Sequence, residues 1–178
     1  LPNAKFDFVS ANYDFNNTVL DTHSKTYKLY KKDGIKIGVF GLGIELQGMV
    51  DKKNYKETVY RDPIEIAQDM SRILKKEEQC DLVICLSHLG YDYKKSDENK
   101  ISDLKLAQKT QDIDLIIGGH THTFLDKPTV VKTLQAKKFW LTKLVVTVFT
   151  LEELISILTV TNKISPKEKL LWYNNLLL

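Results

Sequence analysis

Three of the four histidines in this 178-residue chain stand directly behind apolar runs. His120 and His122 alternate with threonine in Asp114 to Thr123, DLIIGGHTHT, after Leu115, Ile116, Ile117 and two glycines. His88 follows Asp81 to Ser87, DLVICLS, with Gly90 just beyond it. Neutral imidazole is the commonest protein ligand for divalent transition metals, and two histidines at i and i+2 on one loop can reach two adjacent ions. Metal ligation is therefore the chemistry these residues could do. A lone histidine at a strand end is ordinarily solvated, but three at the exits of two strands point to a shared site. His23 is the contrast: it lies in the polar loop Thr22 to Thr26 and reads as surface.

The elements that must position these rings follow from the same stretches. Runs rich in Val, Ile and Leu bounded by glycine read as buried strands, so the histidines sit just past carboxyl ends, where open α/β sheets bind ligands. Gly118 and Gly119 are expected to supply the backbone angles and close approach that a sharp loop needs. Between the two strands, Ser102 to Thr110 reads as a short helix. A longer helix precedes the first strand, from an N-cap at Asp62 through Pro63 and Glu65 to about Gln79, with Ile64, Ala67, Met70 or Ser71, and Leu74 on its inner face. Strand, helix, strand in this order implies parallel pairing with a right-handed crossover, which opens both histidine loops on one sheet edge.

Upstream, Phe6 to Ala11 reads as a core strand and Asn12 to Lys25 as a loop, with Asn12 making a local turn. Thr26 to Tyr30 and Ile35 to Leu42 flank an Asp33-Gly34 turn, a hairpin signal. Gly41, Gly43 and Gly48 follow a strand, but their spacing is GxGxxxxG with no helix beginning there, so they read as strand-end glycines and not a dinucleotide loop. Glu45 to Tyr60 has no period and reads as an irregular connection; Lys94, Lys95, Asp97, Glu98 and Lys100 read as a solvated loop.

Ser87 to Gly90, SHLG, followed downstream by Gly118 to Thr123, GGHTHT, resembles the last two metal-ligand motifs of calcineurin-like dinuclear metallophosphoesterases of the 5′-nucleotidase-like branch. Phe6 to Tyr13, FDFVSANY, resembles the strand after that family's Gly-Asn-His motif, and the likeness runs to about Gln135. The resemblance implies an α/β fold, the second half of an αββα-type sandwich with a mixed sheet. It implies that His88 and His120 bind one metal and His122 the other, with two divalent ions (zinc, manganese, iron or similar) in the intact parent. A hydroxide bridging ions about 3.5–4 Å apart would attack a phosphate monoester, a nucleoside 5′-monophosphate among the candidates. Ser87, Thr121 and Thr123 could orient imidazoles through the free ring nitrogen or only cap loop backbone. The family's Asp-x-His, Gly-Asp and Gly-Asn-His motifs should precede residue 1, so no catalytic residue is expected in this chain, the metal site is incomplete, and the chain alone should hydrolyse essentially nothing. By the same resemblance the parent is periplasmic or secreted. The rival reading is a non-enzymatic module whose histidines hold one structural or sensory metal; no cysteine pairs complete a closed site for it.

Lys plus Arg exceeds Asp plus Glu by 26 − 23 = 3, but residues 136–178 hold six lysines and three glutamates, leaving 20 of each sign in residues 1–135. That neutral body argues against a nucleic-acid partner. Cys80 and Cys85 form no CxxC, and Cys85 is expected as a buried thiol in a strand. Phe139 to Ile157 is apolar but interrupted by Lys143, Glu152 and Glu153, where a membrane span would be heavily penalised. Another origin fits residues 136–178 better. Read one frame over, Lys137 to Thr161 becomes EVLVNQVG, two loosely determined residues, and G(V/I)YLGRIDFYFDR, which resembles the strand pair after the GHTH motif of the family. A single-nucleotide frameshift near Gln135 is the expectation, with residues 1–135 the phosphoesterase half-domain and 136–178 a tail without a selected fold, poorly packed on the sheet.

Overall fold

The computed structural model describes residues 3–93, 99–125, 129–132 and 138–143, the backbone alone being described at Lys132 and residues 138–143. The chain divides into two units, Leu1–Lys143 and Leu144–Leu178, and the second lies outside the described residues. So do Lys94, Lys95, Asp97 and Glu98.

Strands β1 (Phe8–Val9), β2 (Tyr13–Asp14) and β3 (Ser24–Lys25) are short. β4 (Tyr27–Lys32) and β5 (Ile35–Leu42) form the expected antiparallel hairpin, Lys32 opposite Ile35. Its two-residue turn has φ 51° at Asp33 and 84° at Gly34, the left-handed pair that matches strand twist. A single helical turn α1 (Lys52–Tyr55) and β6 (Val59–Tyr60) follow, then α2 (Pro63–Arg72). Asp62 caps α2 by accepting from Ile64 N at 2.8 Å and Glu65 N at 3.1 Å. The α-helix ends sooner than the periodicity suggests, because Ile73–Glu77 widens into a π-type turn that brings the chain to β7 (Leu82–Ser87). Next come α3 (Asp103–Lys109), β8 (Leu115–Gly118), β9 (Thr129–Lys132) and β10 (Lys138–Lys143).

One six-stranded mixed sheet runs β4-β5-β7-β8-β10-β9, with β5, β7, β8 and β10 parallel and both outer pairs antiparallel. Two aspartates lock the start of its central strands. Asp81 Oδ2 accepts from Lys36 N at 2.8 Å, and Asp114 Oδ2 accepts from Val83 N at 2.8 Å and Lys75 Nζ at 2.6 Å. One face carries Phe40, Val83, Cys85 and Ile116, all fully buried in the core that includes Ala67, Leu74, Leu106 and Ala107 of the helical segments. Cys85 is a free thiol whose pKa burial pushes well up. The opposite face is aliphatic as well: Leu82 and Leu115 are buried there, but Ile37, Val39, Ile84 and Ile117 are only half-buried and Leu86 is 40% exposed. Parallel strands apolar on both sides are made to be covered twice.

Three expectations need correction. Phe6 to Ala11 is no core strand: Phe8–Val9 forms a short parallel ladder with β3 and Phe6 is 69% exposed, while Ala11 alone reaches the core, its N donating to Gly41 O at 2.8 Å. Asn12 makes no local turn. It is fully buried, its amide Nδ2 donating to Gly43 O and its Oδ1 accepting from Gly43 N, both at 2.8 Å. The side chain thus imitates a strand neighbour and fixes where the loop after β5 begins. Asn12→Ala would strand both Gly43 groups, and we expect it to lower the unfolding free energy of the chain by roughly 2–5 kcal/mol, measured by urea denaturation. The third correction is β10: its backbone pairs with β8 and β9, against the expected poor packing of the tail. Phe139, Trp140 and Thr142 are strong strand formers, and a strand beside β8 asks of the backbone only its own N–H and C=O groups.

Candidate metal centre

β7 and β8 lie side by side, Cys85 opposite Ile116 and Leu86 opposite Ile117, so both histidine loops leave from one edge as the strand order implied. His88 N donates to Leu42 O at 2.8 Å, which carries the β5–β7 ladder one residue beyond the strand and fixes the backbone from which the ring projects. The rings of His88 and His120 meet edge to face, centroids 5.1 Å apart and planes at 69°.

Glycine makes this possible by proximity more than by rotation. A Cβ at Gly119 would lie 3.1 Å from His88 Nδ1. The left-handed turns fall on the histidines themselves, φ 74° at His120 and 48° at His122. Non-glycine residues in that region cost of order 1 kcal/mol each, and such strain, held by its surroundings, clusters at functional sites. Gly90 does need its freedom: its φ is 95°, and a Cβ there would sit 2.6 Å from Thr121 Cγ2.

The two loops are tied together. Tyr91 N donates to Thr121 Oγ1 at 3.0 Å, and Thr121 Oγ1 shares a hydrogen bond of 3.0 Å with Thr123 Oγ1. Ser87 Oγ accepts from Leu89 N at 3.2 Å and donates to Asp103 Oδ1 at 2.5 Å. These hydroxyl contacts of Ser87, Thr121 and Thr123 go to loop backbone, to each other and to one carboxylate. His88 and His122 are exposed and His120 is half-buried. His23 is exposed too, with Thr22 Oγ1 3.2 Å from its Nδ1.

Beside His120 opens a cavity of about 630 Å³, whose walls include Glu45, Tyr60, Asp62, Tyr93 and Lys100. The stretch Glu45 to Tyr60, expected as an irregular connection but holding the turn α1 and the strand β6, supplies one side of it. Burial pushes the phenols of Tyr13 and Tyr60 up to about 12, and Tyr60 also faces the negative charges of Glu45 and Asp62. Tyr13 donates its hydroxyl to Ile44 O and stands against the Tyr60 ring at 6.1 Å, steadying this wall. Asn12 and the tyrosines were missed as supporting residues because their partners are remote in sequence.

Imidazole is a donor that suits a transition metal, and here two such rings stand with centroids 5.1 Å apart. Among the described residues no group of three or more His, Cys, Asp or Glu side chains is placed to hold a metal, so His122 is not gathered with the other two. Two nitrogens fall short of the four or more donors a stable site requires.

Residues 5–124 match the calcineurin-like phosphoesterase family. The trifunctional nucleotide phosphoesterase protein YfkN of Bacillus subtilis is 40% identical over 105 residues, 59% of this chain and 6% of that protein. The 5′-nucleotidase of Vibrio vulnificus is 32% identical over 135 residues, 72% of this chain and 24% of that protein. A solved 5′-nucleotidase precursor from Thermus thermophilus shares the fold with a TM-score of 0.66 at 26% identity, over 80% of this chain and 28% of that one. The chain thus spans about a quarter or less of these relatives' length. A family match that takes in both histidine loops and the strands β4, β5, β7 and β8 makes this chain a member of the calcineurin-like phosphoesterases, a family of phosphoester hydrolases that implies divalent metal use.

Proposed function

We propose that this chain is part of a 5′-nucleotidase-like phosphomonoesterase, in which His88 and His120 ligate one divalent ion and His122 a second. The edge-to-face approach of His88 and His120 carries this reading, because two polar rings from separate strands are brought together at an exposed edge where packing alone would not require it. Bound there, the ions supply Lewis acidity toward a phosphoryl group and acidify water. This chain's own contribution is placement. The β5–β7 ladder fixes His88, Gly119 admits its ring beside His120, and Thr121 ties one loop to the other. The remaining ligands and the catalytic histidine belong to a segment bearing the Asp-x-His, Gly-Asp and Gly-Asn-His motifs. Phosphate monoesters, nucleotides among them, are the substrate class, and the exported location of the parent follows from the same family likeness. No helix among the described residues is long and apolar enough to cross a membrane.

Titrating the full chain with manganese tests the ligand assignment without any activity. Paramagnetic broadening of the imidazole signals should strike His88 and His120 together at low occupancy, with His23 unaffected. Equal broadening of all four histidines would remove the site.

A further inference from the structure

Asp103 is a wholly buried carboxylate at the first position of α3; the helix N-terminus favours an acid there but does not explain its burial. The N-cap task is already done by Ser102, whose Oγ accepts from Lys105 N. Burying a carboxylate is costly unless its contacts answer for it, and this one also lies near Cys85, whose thiol its charge pushes further up. Its hydrogen bonds to Ser87 and Gly90 bear on the turn that carries His88. The carboxylate accepts from Ser87 Oγ at 2.5 Å at the start of that turn, and Ser87 Oγ in turn holds Leu89 N at 3.2 Å. At the far end, Asp103 N donates to Gly90 O at 2.7 Å, and Leu104 N donates to Tyr91 O at 3.2 Å. One residue therefore grips both ends of Ser87 to Gly90, and His88 lies between the grips with its ring exposed.

We infer that Asp103 is a positioning residue for His88: through Ser87 it sets the Leu89 backbone and so holds the His88 ring against His120. The positioning stands on geometry; its consequence for metal binding rests on the reading of His88 as a ligand. Outer contacts of this kind typically change metal affinity by about 10–100-fold.

The test uses the full chain and four variants, Asp103→Leu, Asp103→Asn, Ser87→Ala and the double Asp103→Leu/Ser87→Ala. Metal-free NMR reads the hydrogen-exchange protection of the Leu89 amide and the cross-peak between the His88 and His120 rings; cobalt alone is the binding probe. Asp103→Leu should lower Leu89 protection about tenfold relative to the Ala107 amide and abolish the ring cross-peak. Asp103→Asn, which keeps an oxygen for Ser87, should restore most of both. In the Ser87→Ala background Asp103→Leu should add nothing to the loss at Leu89. If Asp103→Leu only lowers stability, with Leu89 tracking Ala107 and the ring cross-peak intact, the role is structural and the inference falls. Should Asp103→Leu not fold, Ser87→Ala decides alone, because an unchanged Leu89 amide in that variant overturns the inference. Cobalt that fails to perturb His88 in the unmutated chain would strike the ligand assignment and leave the metal-free readouts to judge the positioning.

Discussion

Mixed with a separately produced segment carrying the Asp-x-His, Gly-Asp and Gly-Asn-His motifs, this chain is expected to hydrolyse a simple aryl phosphate when manganese or zinc is added, while either part alone does not. Two features of the structure motivate this. The sheet face formed by Ile37, Val39, Ile84, Leu86 and Ile117 is aliphatic but incompletely covered, and a second layer would bury it at about 25 cal/mol per Å² of apolar surface removed from water. At the end of the same strands, His88 and His120 offer two donors where an ion needs at least twice that number. One added segment would therefore satisfy both the sheet and the ion. His120→Ala in the mixture should reduce turnover by about 10³-fold or more, since losing a ligand forfeits several kcal/mol of charge stabilisation on the phosphoryl oxygens. His23→Ala, on the exposed loop, should leave turnover unchanged. Activity that survives His120→Ala in full would remove His120 from the site, whatever the two parts do together.

Much of this arrangement could be read before the structure, and the reason is locality. The Asp33-Gly34 turn, the Asp62 cap and the alternation of strand and helix are each decided by residues within a few positions of one another. The parallel pairing of β7 and β8, and with it the shared edge of the histidine loops, then follows from chain handedness. The features that escaped were decided at a distance. Asn12 resembles any loop asparagine until its partner, Gly43, is known to lie 31 residues away. Asp103 looks like an acid in a helix's first turn, a favourable surface position, and only the fold reveals it buried against Ser87. The glycines of GGHTHT suggested where the backbone would turn left-handed, yet the turn fell on His120 and His122, because Gly119 is needed for the approach of His88 instead.

Sequencing the coding DNA is expected to show one base missing near codon 135. We propose this because the shifted reading of Lys137 to Thr161 restores a family-like strand pair, EVLVNQVG and G(V/I)YLGRIDFYFDR. The strand at Lys138–Lys143 is compatible with that origin, since the chain as it stands offers Phe-Trp-Leu at the position where the shifted frame offers Val-Leu-Val, and either sequence satisfies a ladder beside β8. The two frames diverge in character after Lys143. In the chain as it stands, an apolar run carries Lys143, Glu152 and Glu153 without strand alternation, whereas the restored frame gives a second strand, YLGRIDFYF, with polar and apolar residues alternating over its latter half as a half-covered edge requires. A chain made in the restored frame should therefore gain protected backbone amides past residue 143, read by hydrogen exchange, and lose the net positive charge contributed by the six lysines of residues 136–178. Intact coding DNA, or a restored frame that adds no protected amides, would mean that the present tail is a selected segment and that β10 reflects its own sequence.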